Sequence, residues 1–327
     1  MNLLEIFFTY IGPLGEGMKF VMEIKKVSII GLGALGILYA HHLSKKMPKA
    51  DIRIIADRER IHRYENEHVF CNGERCDFNY LTPEESCEPA DLLIFTVKFD
   101  GLKDAIQSVM HHVDEETIIL SALNGISSEA LIGETYGDEH ILYCVAQGMD
   151  AVKVGNQLTY DHMGILCFGE RVPGIISEKV KRVAAFFDKV ELPYEIETNM
   201  VKRQWGKFML NVGVNQTVAV YQSNYGEIQR DGEARKIMIG AMREVITLSE
   251  NAGIHLTEAD LDYWLSVLAT LSPDGKPSMA QDIEAKRHSE VELFAGTVLN
   301  LAHQYGLSTP INQQLYDRIR TIESQYD

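Results

Sequence analysis

The sequence predicts an α/β fold in which an N-terminal, doubly wound domain is followed by an all-helical C-terminal domain. A β-branched strand, a glycine-rich turn, a helix and a second strand follow one another, which is the order of a βαβ unit with parallel strands. Strand and helix patterns then alternate up to about residue 195, and only helical patterns follow. The predicted strands of the first domain are 24–30, 52–56, 91–97 and 117–122, and its first two predicted helices are 34–44 and 101–111.

The second half is predicted to be helical because its apolar residues recur at the spacing of one helix face. Gly253 stands where a helix is expected to stop, and Pro273 and Pro277 interrupt the chain between two helical segments. We therefore predict an α/β domain over residues 23–195 and a helical domain over residues 196–327. The predicted helices of the second domain are 200–221, 231–252, 258–271 and 279–305.

The first 22 residues precede the first convincing strand. Residues 3–11 are apolar, but Glu5 interrupts them and no Lys or Arg precedes them, which is untypical of a secretory signal. The run is also shorter than the roughly 20 residues that a membrane-spanning helix needs. We therefore expect residues 1–22 to be a disordered leader or a mis-assigned start, with Met18 and Met22 as alternative first residues.

The composition is that of a soluble globular protein, with 46% hydrophobic and 24% charged residues among 327. The 31 basic and 47 acidic residues give a net charge of −16, and such a field repels nucleic-acid phosphates and anionic lipids. The five cysteines contain no Cys-x-x-Cys pair and no zinc-like spacing, which is typical of reduced thiols in the cytoplasm. We therefore expect a cytoplasmic protein with no metal, no nucleic-acid partner and no membrane partner.

The glycine turn after the first strand has the spacing Gly-x-Gly-x-x-Gly. The first glycine permits a tight turn, the second lets the backbone approach a pyrophosphate, and the third lets the next helix pack closely on the strand. The N-terminus of that helix adds unpaired N–H groups that favour phosphate. In this setting the turn predicts a Rossmann-type dinucleotide site, whereas a glycine turn alone is compatible with a purely structural role. The turn comprises Gly31, Leu32, Gly33, Ala34, Leu35 and Gly36.

The residues after the second strand bear on which dinucleotide is bound. An acidic residue there binds the adenosine ribose 2′-hydroxyl of NAD, whereas a cation accepts the 2′-phosphate of NADP. This sequence has both, because Asp57 is followed directly by Arg58, with Arg60 nearby. The side chains by themselves favour NADP(H) only slightly, and a solvated charge pair at the end of the strand is the structural alternative.

A row of polar side chains lies on the most apolar helix of the second domain. Lys207, Asn211 and Asn215 are four residues apart, so they share one face of the helix. The helix is otherwise apolar nearly all round and is expected to be buried, where an ammonium group and two amides need partners. The row indicates a surface that faces a ligand, although bonds to other parts of the protein would also satisfy these groups.

Two polar residues of the first domain follow predicted strands. Lys98 comes after the strand at 91–97, and Asn124 after the strand at 117–122. Ligands of open α/β sheets bind at the carboxyl ends of the strands, so both side chains are candidates for contact with a cofactor or substrate. Asn124 also precedes a glycine, and Asn-Gly is a common turn without any ligand.

A second candidate row lies on the predicted helix at 279–305. Ser278 is expected to be its N-cap, since serine oxygens accept hydrogen bonds from the first turn of a helix. Glu290 follows Asp282 by eight residues, near the same face. Taken alone, Glu290 is more readily interpreted as an exposed acid among basic neighbours.

Several of these segments resemble one known family. From about Ile24 to Glu323, the chain resembles the ketopantoate reductase (2-dehydropantoate 2-reductase) family. The motifs of the helical domain are far more specific than the glycine turn. The matching segments are 31–36, Thr96-Val-Lys98, Asn124-Gly125, Trp205-Gly-Lys207 with Asn211 and Asn215, Asn224-Tyr-Gly-Glu227, Ser278-Met-Ala-Gln-Asp282, Arg287-His-Ser-Glu290 and Gly306-Leu-Ser-Thr-Pro310-Ile-Asn312.

The resemblance implies NADPH as the cofactor, with Arg58 at its 2′-phosphate. It also implies Lys207 as the catalytic acid and Glu290 as its active-site partner. Lys98 and Asn124 would position the nicotinamide ribose and the substrate. The hydroxyl and carboxylate groups of the substrate would be held by Asn211, Asn215, Asn224 and Ser278, together with Asn124, Lys207 and Glu290.

The activity implied by the resemblance is the NADPH-dependent reduction of 2-dehydropantoate (ketopantoate) to pantoate, a step of pantothenate and coenzyme A biosynthesis. A homodimer is one possible assembly. Two residues depart from the family's pattern, because Asp57 is an unusual neighbour for a 2′-phosphate and Gly275 stands where some members have a substrate-binding asparagine. The alternatives are another NADP-dependent reductase of a different 2-oxo acid, a related two-domain dehydrogenase, and a non-catalytic NADP(H)-binding sensor.

Overall fold

A computed structural model describes residues 22–326 of the chain. The expected leader, apart from Met22, lies outside these described residues. The chain forms an α/β domain on an eight-stranded sheet and a second domain of helices, which confirms the predicted fold class. The last strand ends at Ile196, and every later regular element of the described chain is helical.

The described strands form two sheets. They are β1 (Val27–Ile30), β2 (Ile52–Ile55), β3 (Val69–Cys71), β4 (Glu74–Cys76), β5 (Tyr80–Leu81), β6 (Leu92–Phe95), β7 (Ile118–Ser121), β8 (Ile141–Gln147), β9 (Val152–Val154), β10 (Gln157–Thr159), β11 (Ile165–Gly169) and β12 (Tyr194–Ile196). The large sheet has the order β12-β11-β8-β7-β6-β1-β2-β5, and only its β8–β11 pair is antiparallel. The small sheet has the order β4-β3-β10-β9.

The four predicted strands are β1, β2, β6 and β7, and each is shorter than expected. All four are buried along their whole length, because helices cover both faces of the parallel sheet. Continuous apolar runs of this kind are visible in a sequence. The short strands of the small sheet have mixed burial, and the sequence did not predict them.

Helices cover the sheet and build the second domain. They are α1 (Ala34–Ser44), α2 (Arg58–Glu67), α3 (Leu102–Ser108), α4 (Ser128–Tyr136), α5 (Glu178–Lys189), α6 (Met200–Tyr221), α7 (Tyr225–Gln229), α8 (Glu233–Asn251), α9 (Glu258–Ala269), α10 (Ser278–Glu284), α11 (Thr297–Tyr305) and α12 (Pro310–Glu323). The central helix is α6, which packs against α8, α10 and α12 and also against β8 of the sheet. The helix predicted over 101–111 is regular only in α3, which lies between two short 3₁₀ turns.

The prediction of one helix over residues 279–305 is wrong. The first part, α10, ends at Glu284, and the chain resumes helical structure in a π turn (Glu292–Gly296) that leads into α11. Lys286 adopts a left-handed backbone conformation, with φ of 51°, which ends the first helix. The N–H of Arg287 then donates to the carbonyl oxygen of Asp282 at 2.9 Å.

Contacts with the last helix hold the loop that follows α10. The backbone N–H and the hydroxyl of Ser289 both donate to Oε1 of Glu323, at 2.8 and 2.6 Å. Glu323 belongs to α12 and is only 2% exposed. Since these partners are 34 residues apart in the chain, the spacing of apolar residues around 285–290 carries no information about them.

Replacement of Gly36 tests the close packing of α1 on the preceding turn. A Cβ at this position would stand 1.9 Å from the carbonyl oxygen of Gly31, so Gly36→Ala must move the helix or the turn. We expect the free energy of unfolding to fall by about 1–3 kcal/mol, measured by urea denaturation. Gly101→Ala is the matched control, because a Cβ there meets open space, and it should change stability by less than about 0.5 kcal/mol. Equal stability of the two variants would contradict the close contact.

Candidate active site

The glycine turn lies at the carboxyl edge of the parallel sheet, between β1 and α1. Gly31 has φ of 98°, in the left-handed region that favours glycine. No side chain caps the N-terminus of α1, and its first turn has no acidic residue. The helix N–H groups and the positive end of its dipole are therefore presented without a neutralising group of their own, as a bound pyrophosphate requires.

Thr96 holds the turn from the neighbouring strand and was missed as a candidate. It follows β6, and its hydroxyl lies 3.1 Å from the carbonyl oxygen of Ile30 and 2.5 Å from that of Gly31. Its backbone N–H also donates to Ile30, at 2.9 Å. The matching segment Thr96-Val-Lys98 did not by itself assign a function to Thr96, because its bonds depend on the pairing of β6 with β1.

The acid and the cation at the end of β2 occupy different positions. Asp57 is the N-cap of α2, and its carboxylate accepts the backbone N–H of Arg60 at 2.7 Å. The same carboxylate lies 3.4 Å from Nε of Arg60. Arg58 is the first residue of α2 and is exposed. Asp57 therefore has a structural function, which explains why an acid is present beside Arg58.

Lys207 bridges the two domains. From α6 its Nζ donates to Oδ1 of Asn124 at 3.1 Å and to the carbonyl oxygen of Ala146, in β8, at 2.6 Å. An ammonium group has three N–H bonds, so a third can serve a ligand oxygen. Burial lowers the pKa of Lys207 from 10.5 to about 8, although the nearby Glu290 opposes this shift.

The polar row continues along α6 toward α10. Nδ2 of Asn215 donates to Oδ1 of Asn211 at 3.4 Å, and Oδ1 of Asn215 accepts from Ser278, through its hydroxyl, at 3.3 Å. The backbone N–H of Met279 also donates to this oxygen, at 3.3 Å. The expectation that Ser278 is an N-cap is wrong, since Pro277 occupies that position and Ser278 begins the helix. Its hydroxyl serves the polar row instead.

Lys98 extends from the sheet to the helical domain. Its Nζ lies 3.0 Å from Oδ2 of Asp282, whose other oxygen accepts Nε of Arg287 at 2.8 Å. Asp282 is buried in α10, whereas Lys98 remains half-exposed at the carboxyl end of β6. The ion pair therefore brings a cation of the first domain into contact with the helical domain.

Glu290 lies beside the same ion pair, at the end of the loop after α10. The backbone N–H of Phe99 donates to its carboxylate, and Lys98 is close enough to stabilise its charge. Burial nevertheless raises the pKa of Glu290 above its usual value. The π turn that follows packs on Gly125, where an added Cβ would lie 2.6 Å from Cδ1 of Leu293. Irregular helical turns of this kind often occur at functional sites.

The structure thus brings together most of the residues singled out from the sequence. Lys207 and Asn124 are in direct contact, Asn211, Asn215 and Ser278 form a second group, and Lys98 and Glu290 form a third. Asn224 stands apart from these contacts, at the N-cap position of α7 beyond the end of α6, where its side chain makes no capping bond.

Two further properties concern ligands and membranes. Within residues 22–326, no cluster of three or more His, Cys, Asp and Glu side chains could hold a metal ion. Among the helices of the same residues, none is both long enough and apolar enough to cross a membrane.

Two family models match the chain. The model described as "Ketopantoate reductase PanE/ApbA" matches residues 27–170, and the model described as "Ketopantoate reductase PanE/ApbA C terminal" matches residues 199–323. The chain belongs to the ketopantoate reductase family. Its members are oxidoreductases with a Rossmann-type NAD(P)-binding fold, and the resemblance inferred from the sequence motifs is confirmed.

Curated relatives cover nearly the whole chain at low identity. The 2-dehydropantoate 2-reductase of Aquifex aeolicus (strain VF5) is 25% identical over 305 residues, which are 92% of this chain and 97% of the relative. The 2-dehydropantoate 2-reductase of Vibrio cholerae serotype O1 is 23% identical over 312 residues, with 92% and 98% covered. This chain is similar to both along nearly their whole length.

Solved structures share the fold. A PanE/ApbA family ketopantoate reductase from Ralstonia eutropha JMP134 superimposes with a TM-score of 0.78 at 21% identity, covering 92% of this chain and 99% of the other. D-mandelate dehydrogenase with NADH and anilino(oxo)acetate superimposes with a TM-score of 0.81 at 20% identity, covering 92% of this chain and 99% of the other. A dimeric ketopantoate reductase from Staphylococcus aureus superimposes with a TM-score of 0.74 at 20% identity, covering 92% of this chain and 100% of the other.

The ionisation of Lys207 can be measured directly. In protein labelled with carbon-13 at the lysine ε position, we expect one NMR resonance to titrate near pH 8, because burial disfavours the charged amine. This resonance should be missing from Lys207→Ala and present in Lys202→Ala, since Lys202 lies on the same helix but pairs with Asp260. If the resonance lost in Lys207→Ala titrates near 10.5 instead, burial does not shift this group.

Proposed function

We propose that this protein reduces 2-dehydropantoate to pantoate with NADPH. The observation that carries the proposal is the position of Lys207. Its partly buried ammonium contacts Asn124 at the carboxyl edge of the sheet, and only β6 separates the strand before Asn124 from the strand before the glycine turn. Cofactors of open α/β sheets bind at this edge, so a proton donor stands beside the expected place of the nicotinamide.

The residues present fit a dinucleotide with a 2′-phosphate. The uncapped N-terminus of α1 suits the pyrophosphate, and the close packing of Gly36 on Gly31 keeps that helix against the turn. At the end of β2, the carboxylate of Asp57 is engaged by Arg60, which leaves Arg58 as an exposed cation. An exposed guanidinium at this place supports NADPH over NADH.

Lys207 is the proton donor in the proposed mechanism. When bound, the reduced nicotinamide supplies the hydride for the carbonyl carbon of the 2-oxo acid. Lys207 stabilises the negative charge that develops on the carbonyl oxygen and donates the proton from Nζ, giving the 2-hydroxy acid. A pKa of about 8 suits this function, since the amine is mostly protonated at neutral pH yet is a stronger acid than an exposed lysine.

The other polar residues orient the substrate. Glu290 would accept a hydrogen bond from the product hydroxyl or orient the ammonium of Lys207, whose pKa its charge raises. Asn211, Asn215 and Ser278 contact one another and would bind the hydroxyl and carboxylate groups of the substrate. Asn224 would have to contact the substrate from beyond the end of α6.

The relatives support this substrate and also define the alternatives. The curated relatives are 2-dehydropantoate 2-reductases, and the Staphylococcus aureus enzyme is described as dimeric, which supports a homodimer here. D-mandelate dehydrogenase has the same fold and was solved with NADH and a different oxo acid. With Gly275 in the loop before α10, a related 2-oxo acid is the second candidate substrate.

NADPH oxidation with a panel of 2-oxo acids distinguishes these functions. We expect the highest kcat/KM with 2-dehydropantoate, because the polar row of α6 offers several donors and acceptors for its hydroxyl and carboxylate groups. Clear turnover with another 2-oxo acid alone would assign the protein to that substrate. Tight NADPH binding without turnover of any member of the panel would indicate a sensor and overturn the proposed reductase.

Substitution of Lys207 tests the proton donor. Lys207→Ala should lower kcat by roughly 10²–10⁴, the usual contribution of a general acid, while NADPH binding stays nearly intact. Stopped-flow kinetics give kcat, and fluorescence titration gives the dissociation constant of NADPH. Lys202→Ala serves as the control on the same helix and should retain kcat. A loss of less than about threefold in Lys207→Ala would rule out this assignment.

Substitution of Arg58 tests the choice of dinucleotide. Arg58→Ala removes the exposed cation, so we expect NADPH binding to weaken by at least about tenfold and NADH binding by much less. Arg60→Ala is the matched control, because Arg60 is already paired with Asp57. Calorimetric titration of both dinucleotides measures the effect. Equal weakening of NADPH and NADH in Arg58→Ala would contradict recognition of the 2′-phosphate.

A further inference from the structure

A buried carboxyl group bonds to the helix that carries Lys207. Glu129, in the first turn of α4, is only 2% exposed. Its Oε1 accepts Nε2 of Gln204 at 2.5 Å, and its Oε2 accepts the hydroxyl of Ser128 at 2.9 Å. Gln204 belongs to α6 and is itself 3% exposed, so this bond joins the two domains in their interior.

The group around Glu129 consists of hydrogen-bond donors. Besides Gln204 and Ser128, the backbone N–H groups of Cys144 and of Glu129 itself face the carboxylate. The hydroxyl of Ser121 donates in turn to that of Ser128, at 2.8 Å. Burial raises the pKa of Glu129 to about 7, so keeping a carboxyl group here costs free energy that an apolar side chain of similar size would not.

The same three segments hold Glu129 and Lys207. On α6, Gln204 and Lys207 are three residues apart and therefore lie on neighbouring turns. On β8, the N–H of Cys144 faces Glu129, while the carbonyl oxygen of Ala146 accepts Lys207. The third segment begins with Asn124, which also accepts Lys207, and continues into α4. Glu129 and Lys207 thus contact the same three segments, where the two domains meet.

We propose that Glu129 is a positioning residue for Lys207. By joining α4, α6 and β8, it sets the separation at which Nζ of Lys207 reaches Asn124 and Ala146 together. The inference rests on the proposed function, in which Lys207 donates the proton. Misplacing a reacting group by about 1 Å can cost 10²-fold in rate, so a bond remote from the substrate can control kcat.

Glu129→Gln tests this function. The amide keeps the volume of the side chain but puts an N–H donor among groups that are themselves donors, so the junction must shift. We expect kcat for the preferred 2-oxo acid to fall by about tenfold, while the dissociation constant of NADPH and the KM change by less than about twofold. Gln204→Met removes the same bond from the side of α6. It should likewise lower kcat with little change in KM.

A double-mutant cycle distinguishes positioning from general damage. In the Lys207→Ala background, Glu129→Gln should cause no further loss of the single-turnover rate, because the side chain that it positions is gone. Equal losses in both backgrounds would overturn the inference. If Glu129→Gln does not fold, Gln204→Met replaces it in the same double-mutant cycle. An unchanged kcat in Gln204→Met would also overturn the inference.

A control carboxylate is available in the helical domain. Glu244 of α8 accepts the backbone N–H groups of Ile311 and Asn312, at 2.8 and 3.0 Å, and it joins helices without contacting the polar row. Glu244→Gln should lower thermal stability and leave kcat unchanged. A wild-type protein that reduces no 2-oxo acid would overturn both the proposed function and this inference, whereas an active wild type with an unaffected Glu129→Gln would overturn only the inference.

Discussion

The candidate site depends on the hydrogen bonds that the partly buried ammonium of Lys207 makes from one domain to the other. This ammonium comes from the central helix of one domain, and both of its oxygen partners, on Asn124 and Ala146, come from the other. A partly buried charge is stabilised by such partners, and it binds both of them only if α6, β8 and the Asn124 loop stand at fixed separations. The same burial lowers the pKa of Lys207 to about 8, so one constraint sets both the position and the acidity of the side chain.

The remainder of the site follows from where strands end. Gly31, Lys98 and Asn124 come after β1, β6 and β7, which are neighbours in the sheet, so parallel pairing gathers them at one edge. The helical domain closes this edge from the opposite side through Asp282 and the π turn. The candidate site is therefore built from two sets of residues that are far apart in the chain.

Several of these features could be predicted from the sequence, for identifiable reasons. The parallel centre of the sheet has continuous apolar strands, and the row from Lys207 to Asn215 has the four-residue spacing of a helix face. The prediction failed at 279–305, where the helix ends after Glu284 and the following loop is held by bonds from Ser289 to the distant Glu323. Glu129 was missed because its partner Gln204 is 75 residues away.

The sequence by itself determined the fold class, the glycine turn, the polar helix face and the family, because each is encoded in local spacing or in motifs. Only the tertiary structure decided which polar groups meet. It showed that Asp57 caps α2, that Ser278 bonds to Asn215, and that Lys207 is held between two oxygens of the other domain. Burial and partner choice depend on the packing of distant segments, and local spacing does not contain that information.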